Sequence, residues 1–132
     1  MPRFAHTDVL DNGPQYIKTN CNKVVLVSQS DTTYTGCHAT YKVAEATLVT
    51  GDFAIAGAAG AARTLTATLT GKAGGNALLA VADGTNMHLA FLDTVTSKVL
   101  YVTEESSNQA ITLGNPVTFN SNPTYASNQP IA

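Results

Sequence analysis

Residues 63–70 read RTLTATLT. Along an extended chain successive side chains point to opposite sides, so Leu65, Ala67 and Leu69 share one face. Thr64, Thr66, Thr68 and Thr70 share the other. A helix would scatter the same residues around its circumference. The stretch predicts a strand with one face in a core and a second face of uncharged hydroxyls.

Reading onward, GKAGG (71–75) has the composition of a turn, and NALLAVA (76–82) reads as the next strand. Asp83-Gly84 is a strong turn signal. MHLAFLDT (87–94) and KVLYVT (98–103) follow as two further strands, and QAITLG (109–114) with NPVTFN (115–120) reads as a closing hairpin or bent strand. Reading backward, Phe53 and Ile55 in GDFAIAGAAGAA (51–62) suggest a short strand leading into a Gly/Ala loop. VAEATLVT (43–50) is β-branched enough to favour a strand over a helix. KVVLVSQ (23–29) reads as a buried strand, and SDTTYTGCHATY (30–41) as a long loop or irregular edge. DVLDNGPQYIKTN (8–20) is the best helix candidate, which Gly13 and Pro14 should limit to about two turns. The uncharged tail SNPTYASNQPIA, with Pro123 and Pro130, should stay outside its own domain as an extended arm. Strands spaced about ten residues apart with Gly, Asn and Asp turns predict an all-β fold. The expectation is one domain over 1–132, an antiparallel sandwich or barrel across 23–119 with a short N-terminal helix and extended terminal arms.

Charge sets this chain apart. Only 12% of its residues are charged, against about 25% in an ordinary domain. Seven basic and nine acidic residues are scattered without a block of either sign. Phosphate backbones and anionic membranes are bound by clustered Lys and Arg, so neither is an expected partner. An uncharged Thr/Asn-rich surface is cheap to desolvate in a protein contact. No apolar run approaches the ~18 residues that span a bilayer. MPRFAHTDVLDNG lacks an apolar targeting segment, so synthesis in the cytosol is expected, with Cys21 and Cys37 reduced.

The chemistry-bearing residues do not assemble into a known pattern. His6, His38 and His88 form no HxxxH pair, and Cys21 and Cys37 form no CxxC pair, so no metal site is expected. Cys37 and His38 are adjacent, and on a strand would face opposite ways, which argues against a thiol–imidazole couple. His88 reads as a satisfied or exposed side chain. Asp83, Asp93, Glu104 and Glu105 fall at turns and strand ends, where carboxylates ordinarily face water. GAAGAAR (57–63) lacks the Lys-Ser/Thr of a phosphate loop. The chain is expected to be no enzyme and to carry no cofactor.

Several segments taken together resemble a family of short virion structural proteins of tailed bacteriophages. They are YIKTNCNKVVLVSQSDTTY (16–34), TLVTGDFAIA (47–56), ARTLTATL (62–69) and, most specifically, MHLAFLDTVTSKVLYVTEESSNQAITLGNPVTF (87–119). The resemblance runs colinearly from Tyr16 to Phe119 and departs at the GAAGAA loop and the Asn/Pro tail. It implies an all-β particle component, assembled in the host bacterial cytoplasm, present in many copies and without catalytic residues. Size and composition extend it to a capsid decoration, or cement, protein whose partners are the major capsid protein and copies of itself in a homo-oligomer. The expected assembly contacts are Thr64, Thr66, Thr68, Pro123, Tyr125 and Pro130. A tail, neck or head-fibre position is one alternative. Another is an adhesin for a glycan or host protein, for which Tyr34, Tyr41, Tyr101 and Tyr125 are available although the chain has no Trp.

Overall fold

The computed structural model describes residues 7–58, 61–104 and 110–128. In chain order it contains a helix α1 (Thr7–Asn20) and strands β1 (Lys23–Val27), β2 (Lys42–Thr47), β3 (Phe53–Ala56), β4 (Arg63–Ala67) and β5 (Lys72–Asn76). Strands β6 (His88–Asp93), β7 (Lys98–Glu104), β8 (Pro116–Phe119) and β9 (Thr124–Ser127) follow. They form three antiparallel sheets, ordered β2-β1-β6-β7, β3-β4-β9 and β5-β8. The architecture is the expected all-β, sandwich-like one, and the sheets stay open with no closed barrel.

One core joins the sheets. Val24, Leu26, Ala44, Leu89 and Phe91 from the four-stranded sheet meet Phe53, Leu65 and Ala67 from the three-stranded sheet and Phe119 from β8. The alternation in RTLTATLT holds: Leu65, Ala67 and Leu69 are fully buried while Thr68 and Thr70 are exposed. Strand β4 ends at Ala67, and one further bond in the same register, from the N–H of Thr68 to Asp52 O at 2.8 Å, closes it against the start of β3. The apolar run in β1 is buried on both faces. Val24 and Leu26 enter the main core, and Val25 and Val27 enter a second cluster with Cys37, Ala90 and Leu92.

Segment 30–41 supplies the cover of that second face, which corrects its reading as a loop or irregular edge. It folds into a π-helical turn over Gly36–Thr40, and Tyr34, Cys37 and Tyr41 pack into the second cluster. Asp31 holds the turn's entry, accepting from the N–H of Thr32 and Thr33 and from the Thr33 hydroxyl.

Five other expectations are corrected. The helix runs for 14 residues with Pro14 inside it. Pro14 has no N–H to donate, but its ring is fully buried, and that burial offsets the lost bond. GKAGG turns only at Gly71 and from Lys72 on forms strand β5, whereas NALLAVA gives that strand only its first residue, Asn76, and is irregular beyond it, with a lone bridge from Val81 to Ile111. Gly74 belongs in β5 because a Cβ there would stand 3.0 Å from the Phe119 ring and 3.1 Å from the Ala44 Cβ. Strand β8 pairs with β5, so the described residues 110–120 close no hairpin on themselves. The tail also packs on its own domain: Thr124–Ser127 pairs with β4 from Arg63 to Thr66. Backbone groups suffice for a ladder, so a polar segment can complete a sheet edge.

Candidate functional site: an uncharged sheet face and a tyrosine cleft

Register decides what the three-stranded sheet presents. Ala54 pairs with Thr66, and Ala56 with Thr64. On the other side Thr66 pairs with Thr124 and Thr64 with Ala126. These six side chains share the face opposite the buried Phe53, Leu65 and Ala67. Ala54, Ala56, Thr124 and Ala126 are exposed and the two threonines half-exposed. The face holds no charge and nothing larger than threonine. With strands ~4.8 Å apart and ~3.4 Å per residue, it covers roughly 200 Å², against about 800 Å² per partner in a stable pairwise interface.

The expected contact residues divide accordingly. Thr64 and Thr66 lie together on this face, and Thr68 is exposed just past the end of their strand. Pro123 is half-buried beside this sheet, its carbonyl accepting from the N–H of Ala67 at 3.0 Å. Tyr125 pairs with Leu65 and so points to the other side, where its ring lies 5.5 Å from that of Tyr101. Pro130 lies outside the described residues, as do His6, Glu105 and Gly60. Sequence reading missed Ala54, Ala56, Thr124 and Ala126. Their signal was small residues alternating with larger ones in FAIA and TYAS, too short to carry a register alone.

Tyr125 lines an open cleft of about 500 Å³ together with Gly13, Tyr16 and Ile17 of α1, Thr32 and Tyr34, and the Ser97–Leu100 start of β7. Two of its tyrosines are unusually exposed, Tyr16 at 46% and Tyr125 at 37%. Lys98 Nζ donates to Tyr16 Oη at 3.5 Å. Behind the cleft Tyr101 stacks on Phe91 at 4.2 Å, and burial raises its phenol above the ordinary tyrosine range. Tyr34 stacks on His38 at 4.9 Å.

Arg63 and Asp93 hold local structure. Arg63 Nε donates to Asp11 Oδ1 at 2.8 Å and its Nη1 to Gly57 O, tying α1 to β4 and to the Gly/Ala loop. Asp93 accepts from Val95 N–H, Thr96 N–H and the Thr96 hydroxyl, which shapes the β6–β7 turn. Cys37 and His38 diverge as expected, although on a helical turn, with Cys37 Sγ 3.4 Å from Asp31 O and His38 against Tyr34. Cys21 and Cys37 are both buried, one in each core cluster. His88 departs from its expectation, since its Nδ1 is buried with no hydrogen-bond partner. Among the described residues no group of three or more His, Cys, Asp or Glu gathers to hold a metal ion, and no helix is long and apolar enough to cross a membrane.

No protein-family model, curated protein or solved structure matches the chain.

Proposed function

We propose that this chain is a structural component of a tailed-phage virion, a decoration protein that lies on the head and acts through contact area. The observation that carries the reading is the flat face of Ala54, Ala56, Thr64, Thr66, Thr124 and Ala126. Such a face has no charge to desolvate and few long side chains to immobilise, the two main costs of making a protein contact. Its occupant in this reading is the shell built of the major capsid protein. A patch of roughly 200 Å² is too small to hold one isolated partner. On a lattice many copies act together, and weak single contacts add up to stable attachment. The low charge of the chain and its colinear resemblance to virion proteins support the same reading.

Quantitative mass spectrometry of purified particles tests it. The protein should be present in many copies, in a fixed ratio to the major capsid protein, and a Thr64→Glu/Thr66→Glu double variant should fold normally yet fail to join particles. A copy number matching tail or neck proteins would move it there, and absence from particles would refute the proposal.

A further inference from the structure

The cleft at the start of β7 is separate from the Thr/Ala face and does not depend on the virion reading. Of the five tyrosines in the chain, three line this one cleft, and Tyr101 braces Tyr125 from behind. Tyrosine has an apolar ring and a polar tip, which suits a surface that is wet when empty and covered when occupied. About 500 Å³ falls within the usual range for small-molecule sites. The rim adds the hydroxyls of Thr32 and Ser97, and Lys98 brings the only ionised group of the lining.

We infer that this cleft binds an acidic saccharide, a sugar ring carrying one negative charge, with its C–H face against the tyrosine rings and its anionic group at Lys98. The ring faces call for a ligand with a flat apolar side, and the hydroxyls for one with neutral hydrogen-bonding groups around its edge. The ammonium, held 3.5 Å from Tyr16 Oη and with no carboxylate in the lining, calls for an anion. Asp93, the cross-strand partner of Lys98, feels its charge without closing an ion pair on it, and Asp11 is paired with Arg63. Asp31 accepts from Thr32 and Thr33, and Asp93 from Val95 and Thr96. An extended peptide added along β7 is the competing occupant. The register of β7 against β6 is broken between Phe91 and Leu92, which leaves Leu100 as an extra residue in the cleft. A bulge at a sheet edge blocks regular strand addition, so the ring ligand is favoured.

The test is an NMR titration of the full chain with glucuronic acid, N-acetylneuraminic acid, neutral glucose and a tri-glutamate peptide. Both acidic sugars should give saturable shifts at Tyr16, Tyr34, Lys98 and Tyr125. Lys98→Gln should weaken acid-sugar binding about tenfold, the worth of one charge-assisted contact. Tyr16→Ala, at an exposed helix position that leaves the fold intact, should weaken it as well, and Tyr125→Ala should abolish it. Thr66→Ala, on the other face, should bind as the parent does. Absence of saturable shifts with both acidic sugars, shifts that map outside the cleft, equal binding of glucose with no effect of Lys98→Gln, or binding of tri-glutamate alone would each overturn the inference.

Discussion

Asn22 and Thr94, 72 positions apart, hold each other by a reciprocal pair of hydrogen bonds. Asn22 Nδ2 donates to Thr94 Oγ1 at 2.7 Å, and the Thr94 N–H donates to Asn22 Oδ1 at 3.0 Å. The backbone of Asn22 is used too, its N–H donating to Leu92 O and its carbonyl accepting from Leu48 N–H. One residue thus fixes where β1 enters the sheet relative to β2 and to the β6–β7 turn. Asn22→Ala removes both side-chain bonds and leaves a partly buried N–H without its acceptor. The expected loss is about 2 kcal/mol in urea unfolding. A change within the scatter of ordinary surface substitutions, about 0.5 kcal/mol, would show that water replaces the amide fully.

Acid should loosen the β6–β7 turn. The Thr96 hydroxyl, joined by the N–H groups of Thr96 and Val95 and by the nearby Lys98 charge, holds the Asp93 carboxyl below its ordinary value of 3.8. Asp31 is lowered in the same direction, first by the Thr33 hydroxyl. A carboxyl whose folded pKa is depressed stabilises the fold fully above its unfolded value, and that contribution is lost as pH falls through the folded one. Melting temperature should therefore stay level from neutral pH to about 5 and drop below about 4. Asp93→Asn should melt lower than the parent at pH 7 and show a shallower acid decline. An unchanged acid limb would remove Asp93 from this role.

The thiols should be silent until the protein opens. Burial pushes Cys21 up to about 12, and Cys37 is raised by burial and then by the Asp31 charge. A thiol must be exposed and ionised to react. Labelling with a disulfide reagent at pH 8 should be slow in the native state and should speed up along the urea unfolding curve. Rapid labelling of either cysteine without denaturant would mean that its core cluster opens locally.

Gly74 gives a fourth expectation. A methyl there would meet the Phe119 ring, the Ala44 Cβ and, at 3.3 Å, the Val117 carbonyl oxygen. Gly74→Ala should cost about 1–3 kcal/mol, the usual penalty of overpacking. Gly13→Ala meets no atom beyond its chain neighbours, but Pro14 crowds the Cβ of the helical residue before it, so the substitution should change stability by less than about 1 kcal/mol. Both are read by urea unfolding, and equal effects of the two would contradict the packing around β5.

Legibility in the sequence followed the source of stability. Strands β1, β2, β4, β6 and β7 are held by apolar or β-branched side chains, and alternation or a buried run announced each of them. Strands β5 and β9 are held by backbone pairing and by what they lie against. KAGGN looks like a turn because Gly74 makes room for Phe119 and Gly75 takes a left-handed backbone, and TYAS looks like a tail because the edge it completes is supplied by Arg63–Thr66. The turn over Gly36–Thr40 had a faint sign, the helical spacing of Tyr34, Cys37 and Tyr41, hidden by the hydroxyls between them. The Thr half of the uncharged sheet face could be read from RTLTATLT, whereas its alanines needed the register. The cleft could not be read at all, since Tyr16, Tyr34 and Tyr125 come from a helix, a connecting segment and the last strand.

Attraction between exposed charges fades over about 10 Å at 0.1 M salt. A surface made of Ala54, Ala56, Thr64, Thr66, Thr124 and Ala126 has no such attraction to lose. In the proposed role, a contact made through it should change little with ordinary ionic strength. Its levers are those that act on hydration, so sulfate should tighten it and urea should release it.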